Sequence, residues 1–390
     1  MRITMLTALL VATPLLAACT QNAETGSTAS SDGSGSPGTI EVTSTDDRCE
    51  VSATEAPSGT LTFEVTNAGS GVTEFYLYAA DGKRILGEVE NIGPQLSREL
   101  VVAAPAGGYV TACKPGMKGD GIRGDFTVTD SGTSVDPSAA DRAQVEAAVK
   151  GYEDYVRQES ARLLARTKAF AAAYTAGRDD RARALYPDAR VPWERIEPVA
   201  ESFGDLDPKM DAREADLEQG QRWTGWHRIE KDLWPPATGY TPLTPAQRRT
   251  VTADLVANTE ELDSRVQHLK LTVDQIANGS RGLLEVVASG KVTGEEEIWS
   301  HTDLWDFQAN VDGAEKAYSV LEAIVQRKDA ALAETLTQRF AALQHLLQQQ
   351  RQGAGFRSYD QLSQAQVRRL ADAVNALAEP LSRLTGTVLG

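Results

Sequence analysis

The sequence predicts a two-part molecule, a small all-β sandwich followed by an all-α helical bundle. Three observations carry that prediction. At 390 residues the chain exceeds what a single hydrophobic core usually serves. Between residues 39 and 129 apolar and polar residues alternate and turn residues punctuate them, the period of strands. After residue 140 the apolar residues recur at three and four, the period of helices, with no intervening strand pattern.

The first residues bear on compartment. Arg2 opens a basic n-region, and the apolar stretch 6–16 is too short to span a bilayer. Leu16-Ala17-Ala18-Cys19 then resembles a bacterial lipobox. On that reading residues 1–18 are a lipoprotein signal peptide and Cys19 carries the lipid that holds the protein on the outer face of the cell membrane. Plain secretory cleavage near Ala18, giving a soluble periplasmic protein, is the alternative. Residues 19–38, rich in Ser, Gly, Thr and Ala, read as a flexible tether.

In the β part, residues 39–130, Leu61, Phe63 and Val65 alternate with Thr62, Glu64 and Thr66. Phe75 to Tyr78, Tyr109 to Ala112 and Phe126 to Val128 read as further strands. Asn67-Ala68-Gly69, Asp81-Gly82 and Ala106-Gly107-Gly108 read as turns. Residues 131–140 are a polar linker, and 141–390 form the bundle. There Val145, Val149, Tyr152 and Val156 open one helix. Leu255, Leu262, Val266, Leu269, Val273 and Ile276 mark a second. Leu332, Leu336, Phe340, Leu343 and Leu347 mark a third, and Val367, Leu370, Val374 and Leu377 a last helix ending before Pro380. Segments 191–207 and 293–307 read as irregular, and all six tryptophans fall between Trp193 and Trp305.

The net charge is −16. That argues against nucleic acid and anionic lipid surfaces as partners, and is compatible with cationic ligands. The most informative motif is Gly225-Trp226-His227-Arg228-Ile229-Glu230, read within a long helical segment. Spacing of three puts His227 and Glu230 on one helix face, half of a metal site. Aromatic residues around carboxylates suggest a desolvated pocket in which a cation would compensate negative charge.

At segments 193–207, 223–230, 300–304 and 306–314 the chain resembles the EfeO family of extracytoplasmic iron-binding components of EfeUOB uptake systems. The resemblance covers nearly everything after the tether. It implies that the β part is cupredoxin-like and that the bundle is imelysin-like with a GxHxxE motif. It further implies capture of ferric or ferrous iron outside the membrane, delivery to an EfeU-like iron permease, and an EfeB-like haem peroxidase as partner. By the motif, His227 and Glu230 become metal ligands. Because ferric iron favours oxygen donors, Glu197, Glu201, Asp216, Glu296, Asp303 and Asp306 are the carboxylates available to complete the set. His301 and Asp303 could equally orient ligands rather than bind.

In the β part the family's proposed metal positions match Cys49, Cys113 and Glu74. A Cys49–Cys113 disulfide is the competing expectation, natural in an oxidising compartment. Free thiols would open a second function, a ferroxidase with copper in the β part. Type-one copper is disfavoured because the first histidine of the chain is His227. A metal-dependent peptidase is a third reading, since the imelysin class was once grouped with peptidases. The chain has neither HExxH nor a Gly-x-Ser-x-Gly elbow to support it. The expectation is a binding protein, not an enzyme.

Overall fold

The computed structural model describes residues 39–132, 141–217 and 219–389, the side chains of residues 200, 201, 286, 289 and 290 excepted. Cys19, the signal peptide, the tether and most of the linker lie outside the described residues.

Nine strands build the β part: β1 (Ile40–Ser44), β2 (Cys49–Val51), β3 (Glu55–Pro57), β4 (Gly59–Asn67), β5 (Thr73–Ala79), β6 (Ile85–Ile92), β7 (Ser97–Ala104), β8 (Gly107–Cys113) and β9 (Ile122–Thr129). They form two sheets, ordered β2-β1-β4-β7 and β3-β9-β8-β5-β6. The pairs β1–β4 and β3–β9 are parallel and the others antiparallel. Strict alternation on β4 turns Leu61, Phe63 and Val65 inward, where they meet Phe75, Leu77 and Phe126 from the facing sheet. The sandwich was legible from its pattern, although β1–β3, β6 and β7 carry weaker signals than the four runs named above.

The outer face of β5 is buried as well. Glu74, Tyr76 and Tyr78 alternate with Phe75 and Leu77 and point away from the sandwich core. They face a cleft of roughly 1700 Å³ whose other wall is helical. The two parts dock through α6 (Val273–Val286), whose polar side chains hydrogen-bond the backbone of β7. Asp274 Oδ2 accepts from the Ala103 N–H at 3.0 Å, Asn278 Nδ2 donates to the Val101 carbonyl at 2.9 Å, and Arg281 donates to the Glu99 carbonyl.

The remaining helices are α1 (Arg142–Thr175), α2 (Asp179–Glu201), α3 (Asp207–Met210), α4 (Trp226–Leu233), α5 (Pro245–Val266), α7 (Asp303–Lys328), α8 (Ala330–Gln348), α9 (Gln364–Leu381) and α10 (Leu384–Leu389). A two-residue ribbon, β10 (Arg351–Gln352) with β11 (Gly355–Phe356), joins α8 to α9. The apolar stripes of α1, α7 and α8 converge in one core that includes Tyr152, Leu163, Phe170, Leu321 and Leu336. No helix among the described residues is long and apolar enough to cross a membrane.

Three expectations about helices need correction. The stripe from Leu255 to Ile276 is two helices: α5 stops at Val266, and a capping box at Thr272 and Gln275 starts α6. The helix expected to end before Pro380 runs through it to Leu381, with Pro380 buried, and a further helix follows at Leu384–Leu389. Segment 191–207 is not irregular throughout, since α2 extends to Glu201 despite Pro187, Pro192 and Pro198. A proline leaves the carbonyl four residues earlier without its helical donor. Here side chains supply two of the missing donors: Arg166 reaches the Asp188 carbonyl at 2.8 Å, and Asn310 reaches the Glu194 carbonyl at 2.8 Å.

Candidate metal centre

His227 lies on a helix of only eight residues, not in the long helix its context suggested. Gly225 explains how that short helix is placed. Its φ is 87°, and a Cβ there would stand 2.1 Å from the Met210 carbonyl oxygen. Only glycine lets the chain cross so closely over the end of α3. Thr224 Oγ1 donates to the Lys209 carbonyl at 2.8 Å and Trp223 Nε1 to the Ala212 carbonyl at 2.7 Å, fastening the same crossing. The consequence is that His227 is set beside Asp211, the C-cap residue of α3.

The two imidazole nitrogens face different surroundings. Nδ1 lies 3.2 Å from Glu230 Oε2 and 3.9 Å from Glu297 Oε1. Nε2 lies 3.4 Å from Asp211 Oδ1 and 3.5 Å from Glu296 Oε1, and it has no hydrogen-bond partner although the ring is buried. Two groups of donors close enough to share one ion result: Asp211, His227 and Glu296, and His227, Glu230 and Glu297, each with its ligand atoms within 4.8 Å of one another. Asp211 and Glu296 line the interdomain cleft.

Two buried cations hold the surrounding carboxylates. Arg190, fully buried on α2, bonds Asp211 and Glu194, and its Nε lies 2.7 Å from Glu297 Oε1. Lys291 ends a π-helical turn (Val287–Lys291) that follows α6. Its ammonium sits 2.6 Å from Glu194 and 3.2 Å from Glu197. Asn310 donates to Glu197 Oε2 at 2.9 Å, and Trp193 Nε1 to Asp211 Oδ2 at 2.7 Å. Even so, buried carboxylates outnumber buried cations here. Asp306 keeps both oxygens without a hydrogen bond, 3.5 Å at nearest from Arg190 Nε, and Asp303 Oδ2 is unpartnered too.

The electrostatics follow from burial and this imbalance. Burial pushes the Glu297, Asp306 and Glu197 carboxyls well above the usual carboxylate range. Burial likewise pushes Asp303 up to about 6. For Glu296 burial acts upward, but Lys291 and His227 hold the group at about 2. Burial and the Arg190 charge act downward on His227, and the carboxylates of Asp211, Glu230 and Glu296 outweigh them, so the imidazole is raised. An anionic pocket that protonates its own histidine is one that a multivalent cation would relieve.

Of the residues singled out from the sequence, the structure brings His227, Glu230 and Glu296 together; Asp306 lies across Arg190 from them, and Glu197 is held farther off by Lys291. The side chain of Glu201 lies outside the described residues. Asp303 Oδ1 accepts the Glu297 N–H at 3.1 Å, so it supports the loop that carries Glu296 and Glu297. Asp216 is not part of the cluster. It is half exposed and paired with Arg213 at 2.6 Å. His301 adopts φ 57°, and its carbonyl accepts from the Tyr359 N–H at 2.9 Å, a structural position behind the loop. Asp211, Glu194, Glu297, Arg190 and Lys291 escaped the sequence reading. The four-residue step from Arg190 to Glu194 was a readable ion-pair signal. Asp211 offered none, because its place depends on the Gly225 crossing.

In the β part a disulfide joins Cys49 to Cys113. With the sulfurs bonded to each other, the Cys49–Cys113–Glu74 metal arrangement has no thiolate. Glu74 instead accepts from the Tyr76 hydroxyl at 2.8 Å on the cleft wall.

Two family descriptions match the chain, a Cupredoxin-like domain over residues 6–128 and Imelysin over residues 148–384. A Yersinia pestis protein named "Iron uptake system component EfeO" is 36% identical over 355 residues, covering 90% of this chain and 91% of the relative. This chain belongs to the EfeO family. The Escherichia coli K12 protein of the same name is 35% identical over 360 residues, again 90% of this chain and 91% of the relative. An "Efem/EfeO family lipoprotein" of Staphylococcus haemolyticus is 40% identical over 247 residues, covering 62% of this chain and 84% of the relative. The sandwich of this EfeO-family chain is therefore cupredoxin-like and its bundle imelysin-like.

Proposed function

We propose that this EfeO-family chain is an extracytoplasmic iron-binding protein that captures ferric or ferrous iron at the floor of the interdomain cleft and delivers it to an EfeU-like membrane permease. The observation that carries the reading is the unpartnered His227 Nε2, aimed between Asp211 and Glu296 in a pocket with more buried carboxylate than buried cation. Carboxylate oxygens suit a hard cation, and one imidazole is compatible with iron in either oxidation state. Such ligands release their ion on protonation or displacement more readily than a closed thiolate cage does, as a carrier requires. The names of the relatives in Yersinia pestis and Escherichia coli support iron uptake as the setting.

A lipid on Cys19 with the tether 19–38 would keep the loaded body near its permease. An EfeB-like haem peroxidase completes the proposed system. Neither rival gains from the site: a copper ferroxidase lacks free thiols in the β part, and no observation favours peptide hydrolysis.

The test is calorimetric titration of the mature soluble body with ferric, ferrous and cupric ions, beside His227→Ala and Asp211→Asn/Glu296→Gln. The reading predicts tight iron binding by the wild type. It predicts weakening by about 100-fold or more in either variant, about 2.8 kcal/mol at 1.4 kcal/mol per decade. Unchanged affinity in both variants would move the iron site elsewhere.

A further inference from the structure

We infer that Glu230, although it is the carboxylate of the motif, is a positioning residue and not an iron ligand: it holds the His227 Nδ1–H and thereby aims Nε2 at the cleft between Asp211 and Glu296. The inference rests on the iron-site reading above and deepens it by separating the two faces of the imidazole. Four observations support it.

Glu230 has little capacity left for a metal. Its Oε1 accepts two backbone donors, the Trp299 N–H at 3.0 Å and the Ser300 N–H at 2.7 Å. Its Oε2 takes the His227 Nδ1 contact at 3.2 Å. A carboxylate held by three fixed contacts would have to loosen or share them to reach an ion. Secondly, the neighbouring Glu297 is engaged too: it accepts hydrogen bonds from the Tyr186 hydroxyl at 3.1 Å and Ser300 Oγ at 2.9 Å, and Arg190 Nε is ion-paired with it at 2.7 Å. The carboxylates on the Nδ1 side are thus already engaged by protein groups.

Thirdly, the opposite nitrogen is the orphan. Nε2 is buried and unpartnered, with a carboxylate oxygen on either side at 3.4 and 3.5 Å. Fourthly, Asp211 and Glu296 line the cleft from which an ion must arrive, whereas Glu230 and Glu297 stand behind the ring and do not. An imidazole binds a metal through one nitrogen, and a carboxylate on the other nitrogen fixes both tautomer and ring orientation. Because the Trp299 and Ser300 amides belong to the loop that carries Glu296, Glu230 also ties His227 to the position of Glu296.

The experiment uses protein labelled with ¹⁵N-histidine and gallium(III) as a diamagnetic stand-in for ferric iron. In the wild type the gallium complex should keep a protonated Nδ1 resonance for His227 while Nε2 takes the metal-bound shift. Iron-edge absorption of the Glu230→Gln protein should show the wild-type number of light-atom ligands, with affinity lowered about 10- to 100-fold, the range seen when an outer partner of a metal ligand is removed. Asp211→Asn should lose an oxygen scatterer. A metal-bound shift on Nδ1, or loss of an oxygen scatterer in Glu230→Gln, would make Glu230 a ligand and overturn the inference. The wild-type spectrum decides this even if a variant folds poorly. Failure of the underlying iron site would look different: no wild-type binding, or binding indifferent to His227→Ala.

Discussion

Asp303 illustrates the free energy held in the metal-free site. One oxygen supports the Glu297 amide, while the other is buried without a partner. Burial raises its pKa to about 6 from the ordinary aspartate value of 3.8. Between those values the folded state binds a proton that the unfolded chain does not. This group's contribution to stability therefore falls as pH rises through that window and stays unfavourable above it. Two units correspond to at most about 3 kcal/mol. Asp303→Asn keeps an acceptor for the amide and removes the charge. Urea unfolding of the metal-free variant should show a gain of about 1–3 kcal/mol at pH 7.5 and none at pH 4. An equal gain at both pH values would mean that ionisation of Asp303 is not the source. Lys291 is the opposite case. Lys291→Met strands Glu194 and Glu197 and should cost about 3–5 kcal/mol by the same measurement.

At the scale of elements, the short α4 matters more than the long helices around it. It presents His227, and it is placed by a glycine crossing rather than by its own apolar face. Gly225→Ala would force a Cβ to within 2.1 Å of the Met210 carbonyl oxygen, at a backbone φ of 87°. That backbone conformation, with ψ at −164°, is essentially a glycine one and alone costs a side-chain-bearing residue about 1–3 kcal/mol, and relieving the clash must shift α4 away from Asp211. The variant should melt several degrees lower and bind iron more weakly than that destabilisation explains, as judged by titration at a temperature where it remains folded. Elements of this kind separate what the sequence makes legible from what it hides. Long stripes such as Leu332 to Leu347 read directly as helices, because burial of one face imposes the 3.6 period. α2 was masked by three prolines, two of whose freed carbonyls are met by Arg166 and Asn310, and such long-range donors leave no local trace. His227 and Glu230 were legible through the motif, and Glu296 as one of the carboxylates available to complete the set. Asp211 was not, because only the fold carries it to the imidazole.

At the scale of the whole molecule, the cleft joins the two parts into one anionic basin. Glu74 and Glu90 face it from the sandwich, and Asp211, Asp216 and Glu296 face it from the bundle. With a net charge of −16, iron association should slow as ionic strength rises, while occupancy at saturation stays constant. The disulfide concerns the sandwich alone. Closing a loop of 64 residues is worth about 4 kcal/mol in the chain-entropy description. Cys49→Ser/Cys113→Ser should therefore lower the unfolding temperature of the β part, whereas iron binding in the bundle persists. Loss of iron with the disulfide would instead assign the β part a direct role in holding the ion.

The central claim is the location of the ion, and anomalous diffraction at the iron edge from crystals of the iron-loaded protein tests it most directly. The account predicts one strong peak at the floor of the cleft, within bonding distance of His227 Nε2, Asp211 and Glu296, with Glu230 still on the Nδ1 side. A peak among the side chains of the sandwich, or one on the Nδ1 face of His227, would contradict it.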